Sequence, residues 1–365
     1  MGTRARAVAT LATLVAAVAA LVAGDAPPAP SKAVKEPGRT RFLPHRAAPF
    51  DPATENALWC STFQMAWDAL GRDLLRGAPD LGPPAPESFV KGMNAAPFPI
   101  EALDPASCVV AAGFVRDGIL ERIAKEGRAK FGRDLPEMKV AVAAPEDFLA
   151  YAFLYKDLPF EHVFEGIRGG LRFPGASEPV GAWGLNPGGD AAERSKRLGQ
   201  VRLLHRGPAS KPDEFVLEFT PKTGGDRILL ALVPPAGSLE ESWKAVAAGI
   251  AAGKTRALDG EAVLKVPRLH FDLLHSFGEI LRAPFRNKGF EGYFVAQAAQ
   301  SILFRLDEAG ALLKSEAVIA GKLSASDERP DVFVFDRPFL VALQQKDAKE
   351  PYFLAWIANP DLMPR

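Results

Sequence analysis

The chain has 365 residues, with 44 Lys+Arg balanced by 44 Asp+Glu and 48% hydrophobic residues, the profile of an ordinary globular protein. A net charge of zero provides no overall field to draw in a polyanion, which argues against nucleic acid or an anionic membrane surface as the main partner. Gly and Pro, 32 of each, stay below the roughly 25–30% that marks low-complexity disorder.

Residues 1–24 read as a secretory signal. Arg4 and Arg6 precede the uncharged Ala/Val/Leu run Ala7 to Ala23, and Val22-Ala23-Gly24 offers small residues for cleavage. The competing reading is a retained anchor, because the run sits at the lower limit for crossing a bilayer. No other stretch is long and apolar enough to span, so the expected mature chain is secreted, extracellular or periplasmic, without stable membrane association. Residues 25–52 are Pro/Ala-rich and read as a linker, leaving a single domain over residues 53–365. Cys60 and Cys108, in an oxidising compartment, can pair; two buried thiols that never meet is the equal alternative.

Thr62 to Leu75 follows helical spacing, with Phe63, Ala66, Trp67, Leu70 and Leu74 on one face and Thr62 as the expected N-cap. Gly77 to Ser107 is an irregular, proline-rich crossing with room for a short helix around Glu87 to Met93. Cys108 to Phe114 predicts a buried strand and Val115 to Phe131 an exposed helix. Phe148 to Leu158 is apolar enough for either helix or strand. Glu214 to Thr220 and Arg227 to Val233, joined by a turn over 222–226, predict a hairpin. Ser238 followed by Glu241 predicts a capped helix to Ala248. Strand patterns cover Val263 to Phe271, Phe294 to Leu306, Val332 to Leu343 and Tyr352 to Ile357, with a helix expected over Leu273 to Leu281. Helices and strands alternate without a βαβ rhythm, so the expected class is α+β with antiparallel or mixed sheets.

The sequence holds no HExxH, paired CxxC or GxSxG motif, and its histidines His45, His162, His205, His270 and His275 are scattered. Ala248 to Thr255 imitates a phosphate loop but has Ala where the first Gly is required. His270 and His275 read as ordinary histidines rather than a metal pair. The expectation is a protein without catalytic residues, metal or cofactor.

Residues 307–331 form a long small, polar and charged segment between two strands, a length that in a compact domain is either functional or a surface excursion. Around it, Phe333-Val-Phe-Asp-Arg-Pro-Phe-Leu-Val-Ala-Leu343 resembles the C-terminal signature of the serpins, suicide inhibitors of serine proteases, through Phe333, Phe335, Asp336, Arg337, Pro338 and Phe339. Phe353 to Pro360 is similar to the family's closing strand, with Ala355 where Gly is usual. Asp307-Glu308-Ala309-Gly310 resembles the opening of the reactive-centre loop. The resemblance is specific from Glu214 to the C-terminus and weak before it. Gln300 stands where the family usually has His, and there is little room between Lys130 and Pro145 for the helix that normally crosses the main sheet.

The resemblance implies a serpin-like α+β fold, a monomer, no cofactor, and a serine protease as partner. It implies a loop hinge at Glu308, Gly310, Ala311, Leu312 and Leu313. The scissile bond falls near Ser324-Ala325 by family spacing, with Lys322 or Leu323 as runner-up because the loop looks a few residues longer than usual. After cleavage such a loop inserts as a strand. Ala311, Leu313, Ser315, Ala317 and Ile319 would then face inward by period two. Leu312-Leu313-Lys314 departs from the family's run of very small residues, which would slow insertion and permit substrate behaviour.

Overall fold

The computed structural model describes residues 38–132, 134–135, 142, 144–208, 210–211, 213–311 and 331–364. The expected signal segment and the loop residues Leu312, Leu313, Lys322, Leu323, Ser324 and Ala325 lie outside the described residues.

In chain order the strands are β1 (Thr40–Phe42), β2 (Asn56–Cys60), β3 (Cys108–Phe114), β4 (Phe148–Leu154), β5 (Leu158–Pro159), β6 (Glu165–Gly166), β7 (Ala182–Leu185), β8 (Val201–Arg206), β9 (Phe215–Phe219), β10 (Asp226–Leu232), β11 (Arg256–Ala257), β12 (Val263–Pro267), β13 (Leu269–Ser276), β14 (Ala299–Leu306), β15 (Gly310–Ala311), β16 (Val332–Val334), β17 (Phe339–Gln345) and β18 (Phe353–Ile357). The α-helices are α1 (Ser61–Ala69), α2 (Glu87–Ala95), α3 (Ile119–Phe131), α4 (Ala191–Leu198) and α5 (Leu239–Ala252).

An eight-stranded sheet runs in the order β1-β2-β18-β17-β10-β9-β8-β11, and a four-stranded one in the order β16-β12-β7-β6. Both are mixed: β1 lies parallel to β2 and β16 parallel to β12, while the other pairings are antiparallel. Strands β10, β17 and β18 are buried almost throughout. Apolar runs such as Phe353-Leu-Ala-Trp-Ile357 have no polar face to offer water, so such strands settle where both faces of the sheet are covered. Three further two-stranded pairs are β13-β14, β5-β15 and β3-β4.

The α+β class with mixed sheets matches the expectation from sequence, and several elements differ in detail. Residues 40–50, read as part of the linker, belong to the fold: β1 pairs with β2 and Phe42, Leu43, Ala48 and Phe50 are buried. Of the helix expected over Leu273 to Leu281, only the single 3-10 turn Gly278–Ile280 is helical, and Leu273 to Ser276 belong instead to strand β13. Its Leu269, Phe271 and Leu273 are buried while His270 and Leu274 are exposed, and an eight-residue ladder to β14 outweighs helical spacing. Cys60, not Thr62, precedes α1, and no side chain caps that helix; Thr62 Oγ1 accepts a bond from Gln300 instead. The expected strand Val332 to Leu343 breaks into β16 and β17 across Pro338, which has no N–H for a ladder.

Phe148 to Leu154 resolves as strand, paired along its whole length with β3. Val115 to Phe131, read as an exposed helix, becomes α3, whose Ile119 and Ile123 pack with Val109, Ala111 and Tyr151 of the β3-β4 pair. The predicted hairpin is β9-β10, and Ser238 caps α5 by accepting from the Glu241 N–H at 3.2 Å. Cys60 and Cys108 are both free thiols. Among the described residues no helix is long and apolar enough to cross a membrane, and no cluster of three or more His, Cys, Asp or Glu could hold a metal.

Candidate functional site

Strand β4 pairs with β3 on one side and β14 with β13, and among the described residues no ladder joins β4 to β14. Among the described residues the other edge of each strand has no ladder partner, and an edge of that kind offers backbone N–H and C=O groups to a further strand. Helix α1 packs against both β4 and β14. Gln300 of β14 donates to the Cys60 carbonyl at 3.0 Å and to Thr62 Oγ1 at 2.8 Å, which ties β14 to the start of that helix.

The chain leaves β14 at Leu306 and reverses at once. The Asp307 N–H donates to the Gly310 carbonyl and the Gly310 N–H to the Asp307 carbonyl, both at 3.1 Å. Strand β15 then runs antiparallel to β5, with Gly310 opposite Pro159 and Ala311 opposite Leu158. Flanking bonds extend this seam: the Phe160 N–H donates to the Ala309 carbonyl at 2.9 Å and the Phe164 N–H to the Glu308 carbonyl at 2.8 Å. Gly310 has φ +117°, and a Cβ there would lie 2.5 Å from the Leu158 carbonyl oxygen, so only glycine fits the close approach. Ala311 is buried. The segment that follows thus starts between the end of β14 and the continuation of β4.

Charged pairs hold this turn. Arg268, at the junction of β12 and β13, donates from Nε to Glu308 Oε2 at 2.8 Å and from Nη2 to Glu308 Oε1 at 2.9 Å, the two-pronged geometry that makes arginine–carboxylate pairs directional. Burial pushes the Glu308 carboxyl up, but the Arg268 bonds, its own backbone and the charges of Arg268 and Arg305 together hold it below the usual value. Asp307 lies 3.1 Å from Arg305 Nε, and burial raises its carboxyl despite the Ala309 N–H and that arginine. Beneath the seam, Phe160, Phe164, Trp183 and Phe219 form one aromatic cluster with ring centroids 5.0–5.9 Å apart.

On the far side of residues 312–330 the chain re-enters the fold at Asp331. Its carboxylate meets Arg256 at 2.6 Å and Arg206 at 3.5 Å, and its carbonyl accepts from the Val263 N–H at 2.7 Å. The signature residues then divide by role. Phe333, Phe335 and Phe339 are fully buried, with the Phe215 ring 5.0 Å from Phe333 and 5.2 Å from Phe335. Asp336 and Arg337 lie nearer the surface, where Arg337 bonds Asp336 at 3.1 Å and Asp213 at 3.0 Å. Both groups anchor the chain where it leaves residues 312–330.

The structure therefore brings Glu308, Gly310 and Ala311 together at one strand junction and sets the signature phenylalanines Phe333, Phe335 and Phe339 in the core beyond, with Asp336, Arg337 and Pro338 nearer the surface. Sequence reasoning gave no role to Arg268, Arg256 or Asp331. Their partners stand 40 or more positions away along the chain, and no local spacing announces such pairs.

No family model matches this chain, and no curated protein matches it. Among solved structures it is similar to thyroxine-binding globulin in complex with thyroxine, at 11% identity over 84% of this chain and 93% of that one, with a TM-score of 0.48. It is also similar to a serpin from the trematode Schistosoma haematobium, at 13% identity over 84% of this chain and 94% of that one (TM-score 0.45). A third is mouse protein-Z dependent protease inhibitor, at 14% identity over 84% of this chain and 91% of that one (TM-score 0.45). At these identities and scores the likeness bears on neither activity nor partner.

Proposed function

We propose that this chain is a divergent, secreted serpin that inhibits a serine endopeptidase, offering residues 312–330 as bait and drawing the cut segment between β4 and β14 as a new strand. The observation that supports this most is the register of β15. Carried forward from Ala311 opposite Leu158, the antiparallel pairing would set Ser315 opposite Leu154 and Ala317 opposite Ala152 of β4. Carried forward from the Asp307–Gly310 turn, it would set Leu313 opposite Phe304, Ser315 opposite Ile302 and Ala317 opposite Gln300. Those β14 residues are its buried ones, so Ala311, Leu313, Ser315 and Ala317 would all turn inward, the face that period two assigns them.

About ten new ladder bonds at ~1 kcal/mol each would release on the order of 10 kcal/mol, enough to distort a protease held as an acyl-enzyme. Cleavage near Ser324-Ala325 would suit a protease without charge selectivity, whereas cleavage after Lys322 would suit one whose pocket presents a carboxylate. A second reading, a non-inhibitory serpin-fold binding or structural protein, is favoured by Leu312-Leu313-Lys314: bulky side chains must be packed as the strand enters, and slow entry frees the protease.

The test is the melting temperature of the purified chain before and after a single cut between Gly310 and Asp331. A rise of tens of degrees, together with a detergent-stable complex with the cutting protease, is the expected result. A rise without a complex leaves the non-inhibitory reading, and no rise removes strand insertion altogether.

A further inference from the structure

A cavity of about 670 Å³ opens where the last turns of the α1 segment meet the proline-rich crossing. That volume lies within the roughly 300–1,000 Å³ of small-molecule sites. Helix α1 continues into a π-turn over Leu70–Leu75 that ends at Arg76 in a left-handed conformation, φ 55°, uncommon for a residue with a side chain. Turns of this wide kind concentrate at functional sites.

The cavity wall is held by its own bonds. Trp67 donates from Nε1 to Asn94 Oδ1 at 2.8 Å, and Asn94 donates to the Pro79 carbonyl at 2.9 Å. Asp68 accepts from Gln64 at one oxygen and from the Phe98 N–H at the other, both at 2.8 Å. The polar atoms of Trp67, Asn94 and Asp68 in the wall are therefore spent, while Ile100 is exposed and the Trp67 and Phe98 rings line the wall with only 6% and 8% of their surface accessible.

Unspent polar capacity sits on the two arginines. Among the described residues Arg76 makes one hydrogen bond, to the Arg72 carbonyl at 3.2 Å. Arg72 uses Nε and Nη2 on Asp73, which leaves Nη1. Three carboxylates stand nearby: Asp73 in that fork, Asp68 on two donors and also attracting Arg72, and Glu101 exposed in the lining, so Arg76 carries most of the uncompensated charge. We propose that this cavity binds an amphipathic anion, its apolar body against Trp67, Phe98 and Ile100 and its carboxylate or sulfonate on Arg76 and Nη1 of Arg72. The lining residues lie between Trp67 and Glu101, and the proposal does not rest on the proposed inhibitory function.

The test uses the full chain, 8-anilinonaphthalene-1-sulfonate as the probe and decanoate as the competitor, read by probe emission and tryptophan fluorescence. Saturable binding displaced by decanoate is expected, weakened at least about fivefold by Arg76→Ala and by Ile100→Asp and less by Arg76→Lys. Both residues are exposed, so an unchanged melting temperature verifies folding of each of the three variants. Phe294→Ser removes an exposed aromatic outside the cavity and is expected to leave binding unchanged. Absence of saturable binding, equal affinity in Arg76→Ala and Ile100→Asp, loss on Phe294→Ser alone, or equal competition by decylammonium would each overturn the proposal.

Discussion

Both carboxylate oxygens of Glu308 are held by one guanidinium, that of Arg268, from a strand junction 40 residues earlier in the chain. The pair closes the turn between β14 and β15, so the start of the 312–330 segment depends on it. The half-buried pair is expected to contribute about 1 kcal/mol. Glu308→Gln should lower urea stability by about that much, and Glu308→Lys by more, because it places a third cation beside Arg268 and Arg305. A double-mutant cycle with Arg268→Ala checks the assignment: the Gln substitution should then have little further effect.

The same pair sets a pH dependence. The Glu308 carboxyl is held below its ordinary value of 4.5 in the folded chain, so its contribution is present above that value and is lost as pH falls through the lowered folded one. Asp307 has the opposite sign: raised above 3.8 by burial, its contribution is present below that value and is lost as pH rises through the raised one. The stability gap between wild type and Glu308→Gln should be constant above about pH 5 and shrink below about pH 4.5, measured by urea unfolding at each pH. A gap that persists in acid would remove Glu308 ionisation as its cause.

Gly310→Ala should break the β5-β15 seam. Its Cβ would collide with backbone atoms of Leu158 and Phe160, which cannot step aside as a flexible side chain can, at a cost of about 1–3 kcal/mol. Faster hydrogen exchange at the Phe160 and Phe164 amides, which bond the Ala309 and Glu308 carbonyls, should accompany the loss of stability. Unchanged exchange would show that the seam tolerates the methyl group.

The signature residues should separate cleanly by burial. Phe335→Ala removes a fully buried ring packed between Phe215 and Phe339 and should cost about 3–5 kcal/mol. Arg337→Ala breaks only surface pairs with Asp213 and Asp336 and should cost less than about 1 kcal/mol. Denaturant midpoints of the two variants test this directly.

Lys156 and Asp226 form an ion pair at 3.0 Å with side chains only 10% and 9% exposed. Asp226→Ala strands the buried ammonium and should cost about 3–5 kcal/mol, while the double variant Lys156→Met/Asp226→Leu should recover most of that loss. Equal instability of the single and double variants would assign the effect to packing instead.

Elements whose cause is local were legible in the chain itself. Cys108 to Phe114 follows from its apolar run, the β9-β10 hairpin from two β-rich runs around a Gly-Gly turn, and the α5 cap from Ser238 and Glu241. The buried Phe333, Phe335 and Phe339 stand within a motif readable as text. What was not legible depends on groups far apart along the chain. Leu273 to Leu281 has helical spacing, yet pairing with β14 makes its first half a strand, because a ladder satisfies the backbone while alternate residues reach the core. The edges of β4 and β14 that have no ladder partner among the described residues, the Arg268–Glu308 clamp and the incorporation of residues 40–50 arise the same way. Composition and period specify which residues seek the core; strand pairing and charge contact between distant segments, which only the folded chain brings within bonding distance, decide which edges and charges remain available.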